Sequence, residues 1–262
     1  KMRDFIVCFL LQSLLFVGGI FLFGYLIGLC NRRFYANFGR HGSAVSVLTG
    51  LIGTPVHEGA HALACLLFGH RIVEVRLFSL DPDDGVLGYV RHSYNPKSFY
   101  QRLGNFFIGT APIVVISLLL AFVAYLVLPE MFFDVRDELF SADFSDGFFP
   151  ALGAFVRGFG AIFSYAGEGR WWILLAVGML FCLHMSLSRQ DVKGALGGLL
   201  FLLLLFAAAD AVLRLLGREL LFVFTGYFLA AAGFMNYFLA ISLLLSLCSL
   251  LLSFLFRPLC RR

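Results

Sequence analysis

The sequence predicts an all-α polytopic membrane protein with about six transmembrane helices and a small β-hairpin inserted after the second of them. Three observations support this prediction. Apolar residues make up 60% of the 262-residue chain and charged residues only 14%, whereas soluble domains carry about 25% charged residues. The apolar residues gather in runs long enough for a bilayer core, which needs about 20 residues of helix. One short segment instead alternates apolar and polar residues, as strands do.

Six apolar runs account for the predicted spans. They cover residues 5–30, 44–69, 103–128, 171–188, 191–216 and part of 220–256. The last run carries no charge, and as one helix it would be about 55 Å long, far more than a hydrocarbon core of about 30 Å. We therefore expect it to break near residues 233–236. Two short spans would fit, as would an interfacial piece followed by one span, and the second choice gives six spans.

The hydrophobic period changes between the second and third runs. Val73, Val75 and Leu77 alternate with three bulkier or charged residues, and residues 81–85 read DPDDG. Strands with a period of two around a turn rich in Pro, Asp and Gly are typical of a hairpin. The sequence therefore predicts a β-hairpin over residues 72–92.

Residues 129–170 form the other break between apolar runs. Residues 130–146 contain six acidic side chains against the single basic Arg136, so we expect a solvated loop. Residues 148–165 are apolar and rich in glycine with one Arg, and we expect them to lie on the membrane surface. Together they are predicted to be an acidic loop followed by an interfacial segment.

Two charges lie within the fifth run. Asp210 and Arg214 are four residues apart and therefore share one face of a helix. We expect them to pair with each other, in a structural role.

The second run contains the pentapeptide His57-Glu58-Gly59-Ala60-His61. A helix places the two histidines about 40° apart on one face with about 6 Å of rise between them. Such a pair can bind one Zn²⁺, and the intervening Glu can accept a proton from a water on that metal. Ionisable groups in a lipid-embedded helix are costly and are usually functional. A purely structural cluster of buried imidazoles is the alternative, and the pattern favours a zinc site.

The residues around this motif form a longer pattern. Residues 53–64 read GTPVHEGAHALA, and residues 68–72 read FGHRI and lead into the predicted strands. In these stretches the chain resembles the site-2 protease family of intramembrane zinc metalloproteases. The resemblance covers about residues 47–115, including Arg102 with GTAP at 109–112, and extends more faintly over residues 184–198.

The resemblance also implies a third zinc ligand, because such a site uses three protein ligands and a water. The family takes this ligand from an Asp in a later helix, within an Asn-Pro…Leu-Asp-Gly pattern. The nearest equivalent here is HMSLSRQDVKGA at residues 184–195, which lacks the Asn-Pro element and the immediate Asp-Gly but offers Asp191. His184 is the alternative third ligand, and in an unbroken helix it would lie about 10 Å from Asp191. Less favoured candidates are Asp210, His70 and His92.

The implied activity is hydrolysis of a peptide bond in a membrane-anchored substrate. Zinc would activate a water, and Glu58 would accept its proton and pass it to the leaving nitrogen. The candidate oxyanion donors are His184 and Asn105, and the one that has no other role at the site would serve. A transmembrane substrate must unwind before it exposes a carbonyl, and an edge of the 72–92 hairpin could hold it as an added strand. A hairpin that only caps the site is the alternative.

The resemblance further implies a multi-pass protein of the bacterial cytoplasmic membrane, with the zinc site facing the cytosol. Its partners would then be the lipid bilayer and a membrane-anchored peptide. This orientation puts Arg32, Arg33 and Arg40 outside, against the positive-inside tendency. The net charge of +4 is not gathered into a patch, so nucleic acid is not an expected partner.

Two other functions compete with the protease. A non-catalytic zinc protein that only binds membrane helices has no need of the base Glu58. A transporter would spread charges along several spans, whereas here they gather in one motif and one later turn. Both are therefore less favoured.

Overall fold

A computed structural model describes residues 2–80, 85–140 and 148–260 of the chain. The protein is 83% helical and contains a small two-stranded antiparallel sheet, which confirms the predicted combination of helices and one hairpin. The turn predicted at residues 81–84 lies outside the described residues. The elements in order are α1 (Met2–Ser13), a π-helical turn (Leu14–Gly18), α2 (Gly19–Asn37), a 3₁₀ turn (Gly39–His41), α3 (Gly42–Leu67), β1 (Arg71–Arg76), β2 (Tyr89–Ser93), α4 (Phe99–Val127), α5 (Pro129–Phe140), α6 (Phe148–Ser164), α7 (Gly169–Cys182), α8 (Arg189–Leu216) and α9 (Arg218–Cys260).

Four helical stretches within the described residues are long and apolar enough to cross a membrane: Met2–Asn37, Phe99–Val127, Arg189–Leu216 and Arg218–Arg257. The count of six spans is therefore not confirmed. α3 is not among the four, and α7 has only 14 residues, about 21 Å of helix. The run predicted over 171–188 is shorter than expected because the chain leaves the helix after Cys182.

Helix α9 is one uninterrupted helix of 43 residues, so the predicted break near 233–236 is wrong. The expectation assumed that lipid covers the whole uncharged run. Instead the side chains of Tyr237 and Leu239, and further along those of Ser242 and Ser246, are fully buried within the protein. The amide nitrogen of Asn236 donates to the carbonyl oxygen of Ala232 at 2.7 Å, so this polar residue bonds its own helix and does not interrupt it. Lipid therefore cannot cover the whole of α9, because part of its length lies against protein.

The acidic segment is also more ordered than the sequence indicates. Residues 129–140 form helix α5 rather than a solvated loop, and residues 141–147 lie outside the described part of the chain. Met131, Val135 and Leu139 are buried and recur every four residues, which is the apolar stripe of an amphipathic helix. The acidic residues between them concealed this stripe.

The chain divides into two compact units. The first comprises Lys1–Gly19, Ser117–Val177 and Leu204–Ala240. Within it the amide of Gln12 donates to Asp210 Oδ1 and to Thr225 Oγ1, both at 3.0 Å.

This network corrects the predicted pair of Asp210 with Arg214. The carboxylate accepts from the neutral amide of Gln12 instead. Within the described residues, neither Asp210 Oδ2 nor Arg214 Nε has a hydrogen-bond partner. Four-residue spacing brings two side chains to one helix face, but a donor on another helix can still form the hydrogen bond to the carboxylate.

The second unit comprises Ile20–Ile116, Gly178–Leu203 and Ile241–Arg262. In it, β1 and β2 pair antiparallel with Val75 opposite Val90, and the register shifts once near the start of β1. Small residues let α3 pack closely on α4, and the buried cluster there is Ala60, Ala64, Cys65, Ile108 and Ala111. This packing places the polar side of α3 against α4 and the start of α8.

Candidate metal centre

Helix α3 carries the three ionisable residues of the pentapeptide, all of which belong to the second unit. The imidazole rings of His57 and His61 lie 5.0 Å apart, as expected for residues one helical turn apart on the same face. His61 and Glu58 are buried, and His57 is half-buried. The histidine pair predicted from the motif is therefore formed.

Backbone carbonyl groups hold both imidazoles. Nδ1 of His57 donates to the carbonyl oxygen of His184 at 2.8 Å, and Nδ1 of His61 donates to that of Ile108, also at 2.8 Å. A carbonyl oxygen can only accept, so each Nδ1 carries the proton and each Nε2 keeps a lone pair. Metal-binding histidines are oriented in this way in proteins.

Asp191 is fixed by the start of helix α8. The backbone N–H of Ser188 donates to Asp191 Oδ2 at 2.7 Å, and the backbone N–H of Asp191 donates to Ser188 Oγ at 3.1 Å. Ser188 directly precedes the helix, so the two residues form a reciprocal capping box. The cap occupies Oδ2 and leaves Oδ1 free to face α3.

The Asp191 oxygen that is outside the cap, Oδ1, lies close to the unprotonated nitrogen of His61. Asp191 Oδ1 lies 3.2 Å from His61 Nε2, and the ligand atoms of His57, His61 and Asp191 all lie within 4.8 Å of one another. Ligands at about 2.0–2.1 Å from a tetrahedral zinc are separated by about 3.3–3.5 Å. The separation of Asp191 Oδ1 from His61 Nε2 is close to this value, and two imidazoles with one carboxylate are a ligand set that zinc uses.

Close contact between α4 and α8 sets the position of Asp191. A Cβ atom on Gly109 would lie 2.3 Å from the carbonyl oxygen of Asp191, and one on Gly198 would lie 2.2 Å from the backbone nitrogen of Phe106. Of the three glycines near the start of α8, only Gly198 makes such a contact, because a Cβ on Gly194 or Gly197 would meet no atom within 4 Å.

A cavity of about 580 Å³ opens at this cluster. Its lining includes His57, Glu58, His61, Asn105 and Asp191, together with residues 89–92 of strand β2. Asn105, a predicted oxyanion donor, therefore lies in the same cavity, although its role stays a prediction.

A second cavity of about 400 Å³ shares four lining residues with the first: His57, Glu58, Gly88 and Ser188. A Cβ on Gly88 would lie 2.8 Å from Glu58 Cγ and 2.9 Å from the carbonyl oxygens of Arg76 and Leu77. The segment leading into β2 thus packs directly on the Glu58 side chain. Any side chain at position 88 would have to displace it.

The structure does not group His184 with the candidate ligands. Its Nε2 lies 3.1 Å from the Tyr35 hydroxyl and 3.0 Å from Thr49 Oγ1, and its Nδ1 lies 3.4 Å from Thr54 Oγ1. Helix α7 ends at Cys182, before this residue. His184 instead contributes its carbonyl oxygen to the orientation of His57.

The other predicted candidates are not part of the ligand cluster. Asp210 belongs to the first unit and bonds Gln12, and His70 and His92 bond each other. Sequence reasoning missed the supporting residues Ser188, Tyr35 and Thr49. Of these, only Ser188 could have been predicted from the sequence, because a Ser followed three residues later by an acidic residue is typical of a helix start.

Comparison of the chain with known protein families, curated proteins and solved structures finds no match. The resemblance to site-2 proteases therefore rests on the quoted motifs alone. A proposal for the function therefore depends on the arrangement of the residues in the second unit.

Proposed function

We propose that this protein is a zinc-dependent intramembrane endopeptidase that hydrolyses peptide bonds of membrane-anchored substrates. The observation that carries the proposal is the convergence of His57, His61 and Asp191 beside Glu58 in one cavity. Both imidazoles are held with Nε2 unprotonated, as metal binding requires. The four helices suited to crossing a membrane support a membrane location.

Each polar residue has a separate role in the proposed reaction. Zinc, when bound, would act as a Lewis acid and make a water molecule more acidic. His57, His61 and Asp191 would hold the ion. Glu58 is not part of the ligand cluster but lines the cavity beside it, so its carboxylate is available to accept the water's proton. It would then return that proton to the leaving nitrogen.

Strand β2 supports the idea of an extended substrate. Residues 89–92 line the cavity next to Glu58, and β2 has only β1 as a partner among the described strands. A peptide that pairs with an open strand edge satisfies its own backbone groups, which an unwound membrane helix otherwise leaves unsatisfied. A hairpin that merely covers the site would not need to hold the substrate extended.

The decisive experiment compares wild type with Glu58→Gln. Both purified proteins are assayed for bound zinc and for cleavage of a membrane-anchored reporter peptide. We expect the variant to keep its zinc and to lose at least about 100-fold in turnover, because general base catalysis contributes about 10²–10⁴-fold. The matched control is Glu219→Gln at an exposed position in the first turn of α9, which should cleave normally.

Two outcomes would contradict the proposal. Cleavage that survives in Glu58→Gln removes this residue from the reaction. Stoichiometric zinc in a wild-type protein that cleaves no membrane-anchored reporter would favour the non-catalytic zinc protein instead.

A further inference from the structure

A second pair of imidazoles lies beside the metal cluster without belonging to it. Nδ1 of His70 and Nδ1 of His92 are 3.0 Å apart, and His70 Nε2 lies 2.8 Å from the carbonyl oxygen of Gln101. The His70 ring is only 4% exposed and stacks on Tyr94 with the ring centres 5.1 Å apart. His70 is thus fixed on three sides.

These contacts determine where the protons lie. The Gln101 carbonyl can only accept, so Nε2 of His70 carries a proton and its Nδ1, in the neutral ring, is an acceptor. The facing Nδ1 of His92 must then be the donor. Neutral His92 therefore has its lone pair on Nε2, and no hydrogen bond to that atom is formed by residues 2–80, 85–140 or 153–257, for which side chains are described.

His92 lines the same cavity as Glu58 and the candidate zinc ligands. Burial lowers the pKa of His92, and the neighbouring His70 and His61 lower it further. A neutral imidazole in this place offers a hydrogen-bond acceptor. Arg91 and Arg189, which line the same cavity, can only donate.

We propose that His92 is a substrate-binding residue whose Nε2 accepts a hydrogen bond from a backbone N–H of the peptide. His70 is its positioning residue, because it selects the tautomer that leaves Nε2 free. This inference rests on the proposed peptidase function. An extended peptide presents backbone N–H groups that need an acceptor, and His92 lies on the strand that lines the cavity.

The first test measures kcat and KM on the membrane-anchored reporter together with bound zinc. His92→Phe should keep its zinc and lose about fivefold to tenfold in kcat/KM, the effect of one neutral hydrogen bond. His70→Leu should lose a similar amount, whereas His70→Gln, which can still donate and accept, should recover most of it. The matched control is His41→Phe at an exposed position, and it should behave as wild type.

A second test separates substrate contact from a structural role. Reporters in which single backbone N–H groups flanking the cleaved bond are replaced by ester oxygens are compared in wild type and His92→Phe. One replacement should slow the wild type and have no further effect in the variant, as expected for two partners of one interaction. Losses that add at every position would overturn the proposed contact.

A third measurement does not depend on cleavage. Nitrogen-15 NMR of labelled histidine should show His92 protonated at Nδ1 and unprotonated at Nε2, and His70→Leu should abolish this preference. A proton on Nε2 of His92 in the wild type would overturn the inference. If Glu58→Gln shows that the protein is not a peptidase, this signal still tests the His70–His92 assignment by itself.

Discussion

His61 Nε2 and Asp191 Oδ1 face each other at 3.2 Å although both atoms are acceptors in their ordinary states. The Nδ1 proton of His61 is committed to the carbonyl oxygen of Ile108, and Asp191 Oδ2 is committed to the backbone N–H of Ser188. Two lone pairs at this distance repel unless a positive charge lies between them. A shared proton would satisfy two of the groups, whereas a metal ion would also use His57, whose Nε2 is likewise left unprotonated.

The first prediction is an asymmetry between Asp191→Ala and His184→Ala. Asp191→Ala should lower zinc affinity by at least about 100-fold, since even the groups that orient metal ligands contribute about 10–100-fold. His184→Ala should keep its zinc, because the carbonyl oxygen that holds His57 belongs to the backbone. Competition titration against a zinc chelator measures both. Zinc lost in His184→Ala and kept in Asp191→Ala would exchange the two roles.

The second prediction concerns the packing that positions Asp191. Gly109→Ala should weaken zinc binding, because the new Cβ would lie 2.3 Å from the Asp191 carbonyl oxygen and 2.7 Å from the Ala195 nitrogen. Both are backbone atoms, so the start of α8 must move away from α4. Gly197→Ala on α8 is the control, since its Cβ would meet nothing within 4 Å and alanine favours helix. Equal zinc affinity in the two variants would show that the close approach does not set the ligand geometry.

The fold class and the motif were predictable because both depend on local pattern. Long apolar runs predict the helices, and the spacing of His57 and His61 places them on one helix face wherever that helix lies. Asp191 could be predicted as a zinc ligand only through the resemblance, although the sequence alone allows its capping box with Ser188 to be predicted. The choice between Asp191 and His184 depends on where the helix ends, and helix boundaries are poorly encoded in local sequence.

Other features could not be predicted from the sequence, because they depend on contacts between residues that are distant along the chain. Tyr237 and Ser242 of α9 are buried, and the composition of the run does not show which residues of it other parts of the protein cover. The partner of Asp210 is Gln12, 198 residues away. The pairing of His70 with His92 requires the register of β1 and β2 around a turn. Pattern alone does not specify such pairings.

The third prediction tests whether metal and activity are lost together. His57→Ala and His61→Ala should each lose zinc and reporter cleavage, because two remaining ligands do not complete a zinc site. The chelator 1,10-phenanthroline should inhibit the wild type, and added zinc should restore cleavage. Metal analysis of the purified proteins is the measurement. Unchanged zinc in either variant would place the metal outside this cluster.

The last prediction separates a substrate-holding hairpin from a covering one. Val75 pairs with Val90, a strand residue that lines the cavity. Val75→Pro should disrupt the sheet, because proline cannot donate a backbone hydrogen bond and is poorly tolerated within strands. Val75→Thr keeps the strand propensity of a branched residue and is the matched control.

Two substrates distinguish the interpretations of that variant. A helical membrane-anchored reporter must be held unwound, so its cleavage should fall much further in Val75→Pro than cleavage of a short, already extended peptide. The ratio of kcat/KM for the two substrates is the measurement, and the threonine control should leave this ratio unchanged. Equal losses on both substrates would mean that the hairpin only covers the cavity, because a cover that is lost should affect an extended peptide as much as a helix.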